Sequence, residues 1–397
     1  MRRPALPVLL CALVLLTSCS SGAPMTSATT TSGSSSGASA SAPTSESAPA
    51  EATTPEQQAT AALEALDERE RVAQLFLVGV PLDDLASGDA LAEDGVGGLF
   101  LAGRSEAPAT ELAGTTQRWQ ALAPGPELWI AADQEGGAVQ TLKGPGFTRL
   151  PSATDQGALP PAELSAQAGR MGAELATAGV NLNLAPVADI VPAGTEDGNE
   201  PVGAFGRQYG STAPEVTAAA GAVVDGLAGA GVTATIKHFP GLGRVQGNTD
   251  TRASVVDRVT TAGDEQVAAF GTLARSAEHP FVMASSATYA RIDPDHQAAF
   301  SSIVLTDVLR GQLGFDGVIV TDDVGNAAAV RAVDVGERAV RFLGAGGTVV
   351  LTVDPAVVPR MVDAVLARSA ADPAFAATVQ AAALTALTAK ARAGLLG

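Results

Sequence analysis

Ionisable residues end several of the apolar runs in this sequence. Asp133, Asp189 and Asp322 each close one run, and the pair Lys237 and His238 closes another. A charge is costly to bury unless it is paired, so each of these positions needs a physical reason. Carboxylates, an amine and an imidazole brought together could carry out nucleophilic and acid–base chemistry. The alternative for each residue is a structural role, in which it caps a strand end or forms an ion pair.

Eight short apolar runs, rich in β-branched residues, alternate with longer helical stretches. The runs are 75–80, 98–102, 128–133, 180–189, 233–238, 281–285, 317–322 and 347–353. Ala-rich amphipathic segments such as 162–178, 213–230 and 264–277 separate them. This alternation indicates a parallel sheet covered on both faces. Eight such units predict a (β/α)8 TIM-type barrel as a single catalytic domain of α/β class.

An open, doubly wound sheet is the alternative fold. No Gly-x-Gly-x-x-Gly turn follows the first run, which counts against a dinucleotide-binding version of that sheet. In the closed barrel, the carboxyl ends of all strands meet on one rim, where substrates bind. The ionisable residues would then converge, which favours an active site over several separate structural roles.

Five segments carry motifs that resemble glycoside hydrolase family 3. Residues 237–243 read Lys-His-Phe-Pro-Gly-Leu-Gly, residues 133–137 read Asp-Gln-Glu-Gly-Gly, and residues 314–323 read Gly-Phe-Asp-Gly-Val-Ile-Val-Thr-Asp-Asp. Segments 66–76 and 181–189 are also similar to the family, so the resemblance covers about 60–395. It implies a retaining glycosidase that needs no cofactor. A single barrel resembles the bacterial β-N-acetylglucosaminidases that trim cell-wall muropeptides, which favours terminal β-linked N-acetylglucosamine as substrate over the glucose or xylose of other members.

The resemblance also implies roles for individual residues. Asp322 matches the family nucleophile, and a carboxylate suits that role because it can carry the sugar as an ester. The adjacent Asp323 is expected to support the loop, since successive strand side chains point to opposite faces. The expected sugar-binding residues are Asp133, Arg207, Lys237 and His238.

One departure from the family concerns the acid/base group. The N-acetylglucosaminidase branch has an Asp-Ser-His triplet here, whereas this chain reads Asn248-Thr249-Asp250. One interpretation is that Asp250 replaces the imidazole, because desolvation can raise the pKa of a carboxyl group. A second is that His296 or Glu200 supplies the proton. A third is that hydrolysis is lost and the barrel binds sugar as a lipid-anchored binding protein.

The N-terminus has the pattern of an exported lipoprotein. Residues 1–19 combine Arg2 and Arg3 with an apolar stretch and end in Leu-Thr-Ser-Cys, which resembles a lipobox with Cys19 as the acylated residue. An ordinary cleaved signal is the alternative. Residues 20–57 are rich in Ser, Thr and Ala and are expected to be a disordered linker, and 58–397 the barrel domain. The mature protein is expected on the outer face of the cell membrane.

Composition excludes some partners. The formal net charge is −18, which argues against nucleic acid, because phosphate binding needs a basic surface. The three histidines are scattered and both cysteines lie before residue 20, so no metal site is expected. We expect a monomer that binds a carbohydrate substrate.

Overall fold

The protein is described here by a computed structural model that covers residues 53–396. The expected signal peptide, the expected lipidation site Cys19 and most of the expected linker lie outside the described residues. One linker boundary is corrected: the first helix begins at Pro55, so 55–57 are helical rather than linker. Thr54 explains this start, because its side chain accepts from the backbone NH of Gln57 and forms a capping box there.

Eight parallel strands form the central sheet, and each overlaps one of the eight predicted runs. They are β1 (Phe76–Pro81), β2 (Gly98–Ala102), β3 (Trp129–Ala132), β4 (Leu182–Asn183), β5 (Thr233–Phe239), β6 (Phe281–Ala284), β7 (Ile319–Thr321) and β8 (Val350–Thr352). Each strand pairs with the next along the chain from β1 to β7, and β8 lies beside β1. A parallel bridge between Val320 and Val349, with a hydrogen bond from Thr321 N to Val349 O, joins β7 to the β8 segment. The (β/α)8 prediction is therefore confirmed.

The helices surround this sheet. They are α1 (Pro55–Ala65), α2 (Glu68–Ala73), α3 (Gly88–Glu93), α4 (Ala109–Leu122), α5 (Ala153–Gly157), α6 (Pro161–Thr177), α7 (Ala213–Ala228), α8 (Glu265–Ala274), α9 (Val335–Gly344), α10 (Val358–Ala371) and α11 (Pro373–Arg392). A π-helix, Ile303–Gln312, connects β6 to β7. Short 3-10 turns occupy Leu85–Ser87, Glu196–Gly198, Gly203–Phe205, Ala298–Phe300, Ala328–Val330 and Pro355–Val357. No helix in the described part of the chain has the length and apolar character needed to cross a bilayer.

The fourth strand is much shorter than predicted. The apolar run 180–189 suggested one long strand, but regular pairing is limited to Leu182 and Asn183. Pro186 lies in this segment and has no NH to donate to a ladder. The backbone nevertheless continues beside β5, because Thr235 N donates to Ala185 O at 2.9 Å and Ala188 N donates to Lys237 O at 2.6 Å. Asp189 therefore still lies beside the end of β5.

Two small sheets lie at the rim formed by the carboxyl ends of the barrel strands. Gln134–Gly136 and Val139–Gln140 form an antiparallel ribbon directly after β3. Val256–Asp257, Thr288–Tyr289 and Asp293–Gln297 form a three-stranded sheet from the segments after β5 and β6. Beneath them, the barrel strands are buried almost throughout, as expected for parallel strands covered by helices.

Candidate active site

One cavity at the carboxyl ends of the strands collects all six side chains predicted for catalysis and sugar binding. Its volume is about 390 Å³, and strand ends and the following loops line it. The six predicted residues in the lining are Asp133, Arg207, Lys237, His238, Asp250 and Asp322. Apolar side chains from β2, β6 and β8, including Phe100, Met283 and Leu351, complete the walls. The cavity combines a few converging polar groups with apolar walls, as small-molecule sites commonly do.

Buried ion pairs organise one side of this cavity. Lys237 Nζ lies 2.7 Å from Asp133 Oδ1 and 2.7 Å from Glu135 Oε1. Arg207 meets the same Glu135 with two bonds, at 2.7 and 2.9 Å. Glu135 is thus shared by two cations, and Asp133 is among the residues that line the cavity.

The charges of this cluster depend on one another. Burial alone would raise the pKa of Glu135, but the positive charges of Arg207 and Lys237 outweigh it and lower the pKa to about 2. Burial would lower the pKa of Lys237, and the carboxylates of Asp133 and Glu135 instead raise it above its ordinary value. Glu135 and Lys237 therefore carry opposite charges at neutral pH, and Lys237 gives the cavity a charged hydrogen-bond donor.

A bulge in β5 directs two consecutive side chains into the cavity. The pairing with β6 shifts between Lys237 and Phe239, so an extra residue stands opposite the partner strand. Such bulges re-aim side chains near active sites. His238 is held in place by the buried Asp189, which lies 2.8 Å from Nδ1 and also accepts from the backbone NH of His238 and of Leu242. The bond at Nδ1 leaves Nε2 as the ring nitrogen available to the cavity.

Asp322 follows β7 directly and lines the cavity. Its backbone NH donates to Ala284 O at 3.1 Å, which ties this residue to the end of β6. The next residue has a different role, because the Asp323 carboxylate accepts from the NH groups of Gly325, Asn326 and Val353. The prediction that Asp323 supports the loop is confirmed, although part of this side chain also contacts the cavity.

Asp250 reaches the cavity from the loop after β5, which we call the 246–252 loop. Its backbone oxygen accepts from Ala328 N at 3.1 Å, and Thr249 O accepts from Ala329 N at 3.0 Å, so this loop is docked on the segment that follows Asp322. Asp250 is open to solvent in the cavity, yet protein atoms surround it on most sides. This burial, and then the negative charge of Asp322, raise the pKa of Asp250 to about 6. A carboxyl group with such a pKa can donate a proton near neutral pH.

The sequence model for the glycosyl hydrolase family 3 N-terminal domain matches residues 67–382, which include the strands and all six predicted side chains. The chain belongs to glycoside hydrolase family 3. Beta-hexosaminidases from Stenotrophomonas maltophilia strain K279a and Xanthomonas campestris pv. campestris strain B100 are each 35% identical to it, over 305 and 308 residues. These alignments span 74% of this chain and 88% and 89% of the two relatives.

A solved structure also resembles this family 3 barrel closely. The beta-N-acetylhexosaminidase from Beutenbergia cavernae DSM 12333 is 48% identical and superimposes with a TM-score of 0.79. The match covers 82% of this chain and 98% of that protein. The family resemblance drawn from the motifs is therefore confirmed.

The two other acid/base candidates lie outside the cavity lining. The His296 side chain is 57% exposed and its Nδ1 lies 2.9 Å from Asp293 Oδ2. The Glu200 carboxylate is engaged by Arg252 and by the backbone NH of Asn248. Of the three groups considered from the sequence, Asp250 alone is among the cavity-lining residues.

Two functional side chains received no role from sequence reasoning. In the sequence Glu135 is one member of the Asp-Gln-Glu-Gly-Gly motif, yet in the structure it bridges Arg207 and Lys237. Asp189 was seen as the end of a strand, yet it orients His238. A usable signal existed for both, because Asp189 closes one apolar run and Glu135 lies two residues after Asp133, which closes another, in a chain whose cationic residues on the same rim need partners.

Proposed function

We propose that this protein is a retaining β-N-acetylhexosaminidase that removes terminal β-linked N-acetylglucosamine. The observation that carries the proposal is that Asp322 and Asp250, from different loops, line one sugar-sized cavity with Asp133, Lys237 and His238. The named relatives, which are called beta-hexosaminidases and a beta-N-acetylhexosaminidase, support N-acetylhexosamine as the sugar class.

The first step would form a covalent intermediate. The Asp322 carboxylate attacks the anomeric carbon while the bond from that carbon to the leaving oxygen breaks. Asp250, protonated at the start, gives its proton to the leaving oxygen. The raised pKa of Asp250 supports this assignment, because a carboxyl group with an ordinary pKa would rarely hold a proton near neutral pH.

The second step would reverse the role of Asp250. Its carboxylate takes a proton from a water molecule, whose oxygen attacks the anomeric carbon and releases Asp322. The sugar thus leaves with its original configuration, after two inversions. Asp133, Lys237 and His238 would hold the sugar hydroxyl groups during both steps, with Arg207 beside them.

A nitrophenyl N-acetylglucosaminide assay tests the nucleophile. We expect Asp322→Ala to lose nearly all turnover, on the order of 10³-fold or more, because no ester can form. Asp83→Ala is the control, since Asp83 is an exposed carboxylate outside the cavity lining. Equal rates for wild type and Asp322→Ala would reject the assignment. A 5-fluoro glycosyl probe that labels Asp322 covalently would identify the attacking group directly.

A second candidate is sugar binding without turnover, favoured by the replacement of the Asp-Ser-His triplet with Asn248-Thr249-Asp250. Calorimetry would then detect N-acetylglucosamine binding while hydrolysis stays at background. A β-glucosidase or β-xylosidase activity is distinguished by comparing glucoside and xyloside rates with those for the N-acetylglucosaminide.

We also propose that the mature protein is monomeric, held at the outer face of the cell membrane by acylated Cys19, and acts on peptidoglycan fragments. The lipobox-like sequence that ends at Cys19 supports the anchor. Cys19→Ala should move the protein from the membrane fraction to the soluble fraction. Unchanged membrane association would reject the anchor without affecting the enzymatic proposal.

A further inference from the structure

Two consecutive residues of the segment after β4 contact the 246–252 loop and the residues just before it. Asn199 is buried, and its Nδ2 donates to Leu242 O and to Val245 O, both at 2.7 Å. The next residue, Glu200, accepts from the backbone NH of Asn248 at 3.3 Å. The residues just before this loop and the loop itself are therefore both attached to one short stretch of chain.

The Glu200 carboxylate also bonds Arg252, which follows Asp250 in the sequence. Arg252 Nε lies 3.1 Å from Glu200 Oε2, and Arg252 Nη2 bonds Oε1. Gly247 makes room for this arrangement, since a Cβ there would lie 2.7 Å from Arg252 Cδ. Glu200 thus holds the residues two before and two after Asp250.

We propose that Glu200 is a positioning residue for proton transfer, which fixes the 246–252 loop so that Asp250 faces the leaving oxygen. The inference rests on the acid/base role proposed for Asp250. Glu200 lies outside the cavity lining and acts through Asn248 and Arg252. The Asn248 side chain continues the chain of contacts, because its Oδ1 accepts from Asp250 N at 2.9 Å.

The contacts suit positioning better than they suit stabilisation. The Glu200 and Arg252 side chains are 42% and 57% exposed, and ion pairs of this exposure contribute little to folding. Proton transfer, in contrast, requires the acid within hydrogen-bond distance of the leaving oxygen, and small displacements slow it strongly. Loss of Glu200 should therefore affect chemistry more than stability.

The leaving group provides a test that a purely structural role would not pass. A dinitrophenolate leaves without protonation, whereas an alcohol or a sugar needs the proton of the acid. We expect Glu200→Ala to lower kcat/KM about tenfold or more for N-acetylglucosaminides with poor leaving groups, a part of the usual contribution of general acid catalysis. The value for the dinitrophenyl substrate should stay within about twofold of wild type, because its departure draws nothing from general acid catalysis.

Glu196→Ala is the matched control. Glu196 belongs to the same segment, and within the described residues its side chain forms no hydrogen bond or ion pair in the structure. Glu200→Gln keeps an oxygen for Asn248 N but loses the charge opposite Arg252, so its activity should fall between those of wild type and Glu200→Ala.

Three outcomes decide the inference. A loss in Glu200→Ala that grows with leaving-group pKa, with an unchanged Tm, supports it. Equal behaviour of Glu200→Ala and Glu196→Ala overturns it, and so does a uniform loss across all leaving groups. Asp250→Asn is measured in parallel: if that variant shows no leaving-group dependence, the acid/base role itself fails, which is distinguishable from a failure confined to Glu200.

Discussion

Glu135 is the residue on which the charge balance of the ion-paired side of the cavity depends. It is 4% exposed and stands between Arg207 and Lys237, each within 2.7 Å. Removing one partner of a buried ionic cluster leaves the others uncompensated, which costs more than an exposed pair ever contributes. We therefore expect Glu135→Gln to destabilise the protein by about 3 kcal/mol, measured by urea unfolding at neutral pH.

The pH dependence of this effect has a definite sign. The pKa of Glu135 is lowered in the folded protein, from 4.5 to about 2, so its contribution is complete above pH 4.5 and is lost as the pH falls toward 2. The difference in unfolding free energy between wild type and Glu135→Gln should shrink over that range. A difference that stays constant would show that the charge of Glu135 is not the cause.

Asp250 should set the alkaline limit of activity. Burial and the charge of Asp322 raise its pKa to about 6, and the acid must be protonated before the leaving oxygen departs. We expect kcat/KM for a poor leaving group to fall tenfold per pH unit well above this value. In Asp250→Asn that descending limb should disappear together with most of the activity toward poor leaving groups. If Asp250→Asn keeps the descending limb of the wild-type pH profile, the acid is another group.

At the scale of the element, the strands that sequence reasoning located well are those with uninterrupted apolar runs. β2 was predicted at its observed bounds, and β5 differs by one residue at its end. The fourth strand was overestimated because hydrophobicity alone does not register the missing donor of Pro186. The ribbon Gln134–Gly136 with Val139–Gln140 was not predicted, since its side chains carry no alternating apolar pattern.

The same contrast applies to the site. Residue type and position at the end of a strand predicted Asp133, Lys237, His238 and Asp322, because a barrel brings strand ends together whatever the details of the loops. The loop residues Arg207 and Asp250 were predicted from the family resemblance. Partners within the site, such as Glu135 with Arg207 or Asp189 with His238, depend on loop conformation and side-chain direction. Those are set by tertiary contacts that a single sequence does not display.

The contact between the loops after β4 and β5 requires a glycine at position 243. A Cβ on Gly243 would lie 1.9 Å from Ile190 O, a backbone atom that can move only if the chain on both sides of it moves too. We expect Gly243→Ala to destabilise the protein by about 2 kcal/mol and to lower activity, because these two loops carry Asn199, Glu200 and Asp250.

Gly263→Ala is the matched control for this prediction. No atom lies within 4 Å of a Cβ built at Gly263, so that substitution should change stability by less than about 0.5 kcal/mol. Thermal unfolding of both variants separates the steric effect from a general effect of replacing glycine. Equal Tm values for the two would contradict the requirement at position 243.

At the scale of the whole molecule, Lys390 connects the last helix to the start of the barrel. It lies in α11, is 1% exposed, and its Nζ donates to Gln74 Oε1 at 2.7 Å. Gln74 in turn donates to Gly95 O at 2.9 Å, so this contact links the C-terminal helix to the segments that precede β1 and β2. Lys390 thus holds α11 against the start of the barrel, but burial of its amine disfavours the charged form.

This burial predicts how the stability of the whole domain responds to pH. Burial lowers the pKa of Lys390 from 10.5 to about 7, and only the charge of Glu127 opposes the shift. The unfolded chain therefore binds more protons than the folded one between these two values, so stability attributable to Lys390 rises with pH in this window, by at most about 1.4 kcal/mol per unit. Unfolding of Lys390→Met should lack this rise.

Lys143→Met is the control, because it makes the same change of net charge on a partly exposed side chain. Subtracting the stability–pH profile of Lys143→Met from that of Lys390→Met removes the effect of the added repulsion in a chain whose formal charge is already −18. If the two methionine variants respond to pH alike, Lys390 remains charged in the folded domain, and its hydrogen bond to the neutral Gln74 side chain is then a charge-assisted one.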